Sequence, residues 1–416
     1  MKYRIHLLGF PHTATNGSWA ACAYTQKIAK FVRMMAPRGH TIIHYGNEGS
    51  RVECAHVQIF TDAERESFYG KHDPTRAYDC VWNPKETAWM LWNSRAIAEI
   101  AQRVQTGDFV LGLASDCHKP IADALGPMAW FVEFGIGYYG TFSPYRIFES
   151  NTHREWLQGS VGNKNVDWGD ATIPNYFDPE EFLPVLGSHM HALETLRSTQ
   201  PAAFQAINEL DQWLTTRRMD VFGTGGYFMF LGRLNDDKGW RIAVETTAKL
   251  GAPLVLAGPG TISEELPAHV YRFGVANIQQ RAILLNRAIA SFAPTLYREP
   301  FGGVAVEAMM SGIPCITTDF GGFVETVPAK FRCHTLKEFV KAAQSTMKMS
   351  VAERATLQES TKALYSLQAI APQYERYFDR LHSRWRDGWY EMGDLETIVP
   401  RSLQLAPLAP ATSGGG

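Results

Sequence analysis

The sequence predicts an α/β protein made of two doubly wound parallel-sheet domains in tandem, facing each other across a cleft. Three observations lead there. Short apolar runs of strand length alternate with helix-period stretches twice over, once from Tyr3 and again from Tyr227, which is the pattern of βαβ units. The 416 residues exceed what one ordinary core fills. Hydrophobic residues at 45% and charged residues at 20% give the balance of a globular chain.

Residues 3–10 read as the first strand, since the run lacks the long h-region and small-residue cleavage site of a signal peptide. The loop 11–18 leads into a helix over 19–36 with small and apolar residues on one face, ended by Gly39, and 41–45 is the second strand. Further strands are expected at 108–114, 128–133, 146–149 and 171–174. The polar stretch 48–85 carries no period, and no element can be read in it. The second series puts strands at 227–231, 253–257, 270–273, 290–293 and 314–318. Between the halves, 183–224 is helical in pattern and longer than a hinge needs. A last amphipathic helix over 372–390 carries Tyr374, Tyr377, Phe378, Leu381 and Trp385 on its apolar side. The expected divisions are 1–180, a helical insert and hinge at 181–224, 225–371, a final helix within 372–399 and a loose Pro-, Ala- and Gly-rich tail at 400–416.

Charge and cysteine usage exclude several classes. Forty basic against 42 acidic side chains leave a net charge of -2, so the chain as a whole has no bias towards nucleic acid or anionic lipid. No run approaches the ~18 apolar residues of a membrane span. The six cysteines (Cys22, Cys54, Cys80, Cys117, Cys315, Cys333) show no paired spacing, which argues against a disulfide framework and a structural zinc site, and a reducing cytoplasm is expected.

The most informative stretch is Arg298-Glu299-Pro300-Phe301-Gly302-Gly303-Val304-Ala305-Val306-Glu307, which follows the strand 290–293 and opens a helix. Adjacent glycines at a helix start allow a ligand close to the backbone, and the N–H groups and dipole there suit a phosphate. Glu299 falls at the lip of the cleft and Glu307 one to two turns into the helix, so two carboxylates can take sugar hydroxyls on either side of a diphosphate. The bare spacing of two Glu residues means nothing. The strand, the Glu-Pro-Phe-Gly-Gly turn and the small-residue helix give it weight.

That stretch resembles the Glu-x7-Glu motif of the retaining glycosyltransferases of family 4. Ala308-Met309-Met310-Ser311-Gly312-Ile313-Pro314-Cys315-Ile316 and Gly321-Gly322…Glu325 are similar to the helix, strand and loop that follow it in that family. Phe230-Leu231-Gly232-Arg233-Leu234…Lys238-Gly239 resembles its Gly-Arg-Leu…Lys-Gly motif, and Ile173-Pro174-Asn175…Asp178 the segment ending its first domain. The resemblance is dense over 227–327 and thinner over the first 180 residues. It implies a GT-B fold, two Rossmann-like domains with the final helix crossing back to the first. It implies an acceptor in the N-terminal domain, a nucleoside-diphosphate sugar in the C-terminal one, and retention without a metal. No cofactor is expected, the nucleotide sugar being a substrate.

Residue by residue, Arg233 and Lys238 are expected to neutralise the diphosphate, against the bland reading of solvated cations beside Asp236 and Asp237. Phe301, Gly302, Gly303 and Glu307 complete the donor site. Phe273, in the loop that meets the base in the resembled family, is equally well a core ring. In the first domain the loop Phe10-Pro11-His12-Thr13-Ala14-Thr15-Asn16-Gly17-Ser18 resembles the family's glycine loop but lacks its Gly-Gly pair. Gly17 is the close-approach residue there, with Asn16 or Ser18 capping the helix. His12 either touches the acceptor or is an ordinary loop histidine. Glu133 stands where many relatives carry a His beside the donor sugar, and is either a base or a charge held by a neighbouring Arg. His118 is a weaker candidate. Glu299 is assigned to positioning sugar and diphosphate, and the expected catalytic set is Glu299, Glu133 and His12.

Rivals on the same fold are a phosphorylase, a sugar-nucleotide epimerase and a non-catalytic sugar-nucleotide binding protein. The acceptor is open. A saccharide or small molecule is favoured over a modified DNA base or a lipid by the near-neutral charge and the lack of a basic amphipathic helix.

Overall fold

A computed structural model describes residues 1–20, 22–73, 80–163, 167–185, 189–216 and 226–384. Trp385 and the expected tail at 400–416 lie outside the described residues.

The first half builds a seven-stranded sheet from β1 (Arg4–Leu8), β2 (Thr41–Gly46), β3 (Ala55–Gln58), β4 (Asp108–Gly112), β5 (Ala129–Ile136), β6 (Tyr145–Phe148) and β7 (Asp170–Thr172), in the order β3-β2-β1-β4-β5-β6-β7. Every pairing is parallel. Parallel strands need crossovers, and helices on both faces make the central strands apolar throughout, as in the fully buried β4 and β5. The expected first helix splits into a 3-10 turn at Gly17–Trp19, a helix at Ala23–Met35 and a second 3-10 turn at Ala36–Arg38, which Gly39 ends at φ 88°. β3 falls in the stretch where no element could be read. It is an edge strand with no fully buried residue, so it has no apolar run to reveal it.

The second half builds a six-stranded sheet from β8 (Phe228–Leu231), β9 (Leu254–Ala257), β10 (Val270–Gly274), β11 (Ala290–Ala293), β12 (Cys315–Thr318) and β13 (Arg332–Cys333), in the order β10-β9-β8-β11-β12-β13 and again parallel. β8, β9, β11 and β12 are buried along their whole lengths. The helical stretch between the halves forms His189–Thr199 and Pro201–Thr216, which pack on this second sheet's core through Leu196, Ile207 and Leu210.

The chain passes between the domains at two adjacent points. Phe177 N donates to Tyr365 O (2.8 Å) and Leu367 N to Phe177 O (2.9 Å), so outgoing and returning strands bond to each other. Arg33 on the helix Ala23–Met35 holds Asp178 at 2.8 Å and Glu181 at 2.9 Å beside the first crossing. The returning helix spans Leu367–Arg384, starting five residues before Pro372, so the ring costs one backbone bond near the helix start. Ile370, Ala371, Tyr374, Tyr377, Phe378 and Leu381 are buried in the first domain's core, and Tyr377 Oη donates to Gly169 O (2.7 Å).

Candidate active site

Ligands of open parallel sheets bind beyond the carboxyl ends of the strands. At that end of the second sheet, the loops after β8 and β11 touch backbone to backbone. Gly239 has φ +70°, and a Cβ there would collide with Pro294 O, while Leu296 N donates to Asp237 O (2.8 Å). This contact sets Lys238 beside Glu299. Lys238 Nζ lies 2.7 Å from Glu299 Oε2, Tyr297 Oη donates to the same oxygen at 2.9 Å, and Lys238 Nζ also donates to Tyr297 Oη. Burial first, then the Glu299 charge, holds the Tyr297 phenol protonated, while the nearby Arg233 charge pulls the other way. Arg233, Lys238, Tyr297 and Glu299 are therefore one cluster, with Arg233 exposed and Lys238 and Glu299 half-buried.

Glu299 is fixed from behind. Gly321 (φ +64°) and Gly322 press on the backbone from Arg298 to Phe301, and Gly322 N donates to Glu299 O at 2.6 Å. Gly302 caps the helix Gly303–Met310 in the left-handed region (φ 85°, ψ 50°), with the Phe323 ring filling the space a Cβ would need. At the start of that helix Ala305 N donates to Gly302 O (2.9 Å), and a helix N-terminus of this kind suits an anion. Glu307, on the same helix, pairs with Arg281 at 3.2 Å rather than joining the Lys238 cluster. Phe273 is half-buried at the carboxyl end of β10.

Four candidate site residues are buried. Phe301 is 2% exposed and packs against Phe177 and Tyr365, so its ring anchors the loop from inside. His12 is 1% exposed among Phe10, Trp82 and Trp89, and burial followed by the nearby His118 lowers its pKa to about 3. It is a neutral ring within an aromatic cluster and offers the cleft no accessible face. His118 is likewise buried, against Phe10 and Trp92, and kept neutral by desolvation. Glu133 is fully buried on β5. Its Oε2 accepts from Phe142 N (2.9 Å) and Ser143 N (2.8 Å), and its Oε1 from Tyr138 Oη (3.3 Å). It therefore holds the loop between β5 and β6 from beneath, and the carboxyl is not available as a base in the cleft. Burial raises its pKa to about 7, against the pull of those donors and Arg146.

The glycine-loop expectation has a definite geometry. Asn16 is the cap, its side chain accepting from Ser18 N (2.8 Å), and Gly17 is exposed with open space where a Cβ would stand. Asn47 Nδ2 clamps the preceding turn through Phe10 O, Pro11 O and Thr13 O.

Sequence reasoning missed four groups. Tyr297 and Arg281 are the partners of the two glutamates. Lys27 and Glu149 form a buried ion pair in the first domain, with Lys27 Nζ also donating to Gly135 O (2.9 Å) and lying 5.2 Å from the centre of the Tyr24 ring. Tyr24 feels Glu149 on its own side and both Glu299 and Arg233 from the other domain, after burial, the largest influence on it. Only Tyr297 carried a local signal, two residues from Glu299; the others are joined by tertiary contacts between distant segments.

Residues 215–355 match the model of the family of glycosyl transferases group 1, and the two-sheet fold is the GT-B fold of solved glycosyltransferase structures. Over 202 residues it is 34% identical to glycogen synthase of Mycobacterium tuberculosis, a match covering 43% of this chain and 46% of that protein. The chain thus spans about half the length of the curated relatives it matches first. The catalytic domain of starch synthase IV from Arabidopsis thaliana, solved bound to ADP and acarbose, superposes with a TM-score of 0.66 at 14% identity, covering 92% of this chain and 100% of that one. Anabaena Alr3699/HepE, in complex with UDP and glucose, gives 0.59 at 13% identity over 90% and 99%. Among the described residues no helix is long and apolar enough to cross a membrane.

Proposed function

We propose that this chain transfers a sugar from a nucleoside-diphosphate sugar to an acceptor hydroxyl, with retention at the anomeric carbon and without a metal ion, in a reducing cytoplasm. The observation that carries the reading is the Arg233–Lys238–Tyr297–Glu299 cluster beside the Gly302-capped helix. The leaving diphosphate gathers negative charge as the glycosidic bond breaks. Arg233 offers a planar fork of donors, Lys238 a compact ammonium, and the start of the helix Gly303–Met310 a set of N–H groups, all fixed before the charge appears. Cations and a helix terminus do there what a divalent ion does elsewhere. Glu299 orients the sugar hydroxyls and holds Lys238 in place. Glu307 accepts from the ribose, a role that competes with its bond to Arg281.

Two solved structures of similar fold, one bound to ADP and one in complex with UDP, support the choice of donor class. Retention rests on the Glu-x7-Glu stretch and its neighbours, and the cytoplasmic setting on six unpaired cysteines. The test is a thermal-shift panel of nucleotide sugars, followed by nucleotide release with the stabilising donor, with and without EDTA. Stabilisation, release unaffected by EDTA and an unchanged anomeric configuration by NMR are the expected results. Phosphate-dependent sugar release without nucleotide, or no stabilisation by any donor, refutes the proposal.

A further inference from the structure

The donor wall leaves one exposed cluster unused, built from carboxyl-end loops of both sheets. Tyr139, in the loop after β5, is 63% exposed. Its ring meets Trp156 at 4.9 Å edge-to-face, and Trp156 stacks on His153 at 6.1 Å. Both latter residues lie on the helix Asn151–Ser160, which follows β6. From the second domain the exposed Arg298 guanidinium lies 5.7 Å from the centre of the Trp156 ring. Arg298 is bonded directly to Glu299, so the cluster continues the candidate active site.

The loop that presents Tyr139 is held in one shape. Glu133 takes the N–H groups of Phe142 and Ser143 from below. Ser115, at φ 50° the one non-glycine with positive φ among the described residues, donates to Tyr139 O (3.2 Å) and Gly140 O (2.9 Å). His153 Nε2 meets Tyr138 O at 3.1 Å. Strain and buried polar groups spent on an exposed loop indicate preorganisation for a ligand.

Resting on the sugar-transfer reading, we propose that the acceptor is a saccharide, seated with one ring over Tyr139 and Trp156 and its hydroxyls facing Arg298. The apolar C–H face of a pyranose matches the negative face of an aromatic ring, and hydroxyl oxygens match guanidinium donors. Arg298 is the single cation of the cluster, and His153 is kept neutral mainly by burial, so the patch lacks the row of charges a polyanion needs.

A printed array of neutral and acidic oligosaccharides, probed with the chain and with its Tyr139→Ala and Trp156→Ala variants, tests this. Donor-induced thermal stabilisation is read on the same preparations. The unaltered chain is expected to bind a subset of glycans, and each variant to lose that binding at least tenfold while keeping the donor shift. The exposed Tyr139 can be replaced without disturbing the core, so the test survives a poorly folding Trp156 variant. Glycan binding retained in Tyr139→Ala, or absent from the unaltered chain while the donor shift persists, overturns the platform and leaves the donor reading standing. Loss of the donor shift in the unaltered chain removes both.

Discussion

Replacing Glu133 with Gln isolates the electrostatic cost of one buried carboxyl. The side chain is fully buried, and desolvation lifts its pKa from 4.5 to about 7 although four groups pull it down. Between those values the folded chain keeps a proton that the unfolded chain releases. The folded pKa is the raised one, so stability is greatest at the acid end of the window and declines as pH rises through it. The decline is on the order of 3 kcal/mol, taking about 1.4 kcal/mol per pH unit across the window. Gln carries no titratable proton, and its geometry conserves the contacts. The carbonyl oxygen can take both N–H groups that Oε2 now takes, and the amide can face Tyr138 Oη. Urea unfolding of both proteins between about pH 5 and pH 8 reads the difference, in which every other titrating group cancels. The variant is expected to gain on the wild type steadily as pH rises to neutrality. Parallel curves would refute the reasoning, since they would mean that Glu133 ionises in the folded chain as freely as in water.

Other perturbations address the donor wall and the domain contact. Lys238→Met removes a charge-assisted bond worth about 1.5–3 kcal/mol, a roughly ten- to hundredfold fall in kcat/KM for the donor; an unchanged value in nucleotide-release kinetics would count against the cluster. Glu307→Gln is expected to raise the donor KM with a smaller effect on kcat, measured in the same assay. Gly302→Ala forces a left-handed residue to carry a Cβ into the Phe323 ring, which lowers Tm by calorimetry and costs about 1–3 kcal/mol for the backbone alone. Glu325 accepts from Asn151 N (3.1 Å), Thr152 N (2.6 Å) and Thr152 Oγ1 (2.6 Å) across the domain boundary, capping the helix Asn151–Ser160. Glu325→Ala is therefore expected to speed amide exchange at that helix start, and unchanged protection would show the cap to be incidental.

The parts of this fold that the sequence discloses are those encoded locally. Buried parallel strands are continuous apolar runs, so β8, β9, β11 and β12 lie where four-residue stretches such as Leu254–Ala257 put them. The Glu299 loop is legible because its glycines stand where backbone meets backbone. The misreadings share a different cause. His12 sits in a loop and Glu133 where the sequence ends a strand that in fact runs on to Ile136, and only the packing of Trp82, Trp89 and the 137–144 loop determines that they face inward. Lys27 and Glu149 are 122 residues apart, and nothing local announces a pair at that separation. Phe301 lies inside the motif itself, where residue type cannot distinguish an anchor from a contact.

The returning helix has a consequence for how the protein is made. The first sheet is complete in sequence at Thr172, yet Tyr374, Phe378 and Leu381, which close one side of its core, are translated about 200 residues later. At ribosomal speed that is a wait of roughly 10–40 s with Ile5, Phe31 and Phe109 uncovered on that side. The second domain's core takes, among the described residues, Phe177 from the first half and Tyr365 from just before the returning helix. The first domain's core can therefore be completed only after nearly all of the second domain has been synthesised.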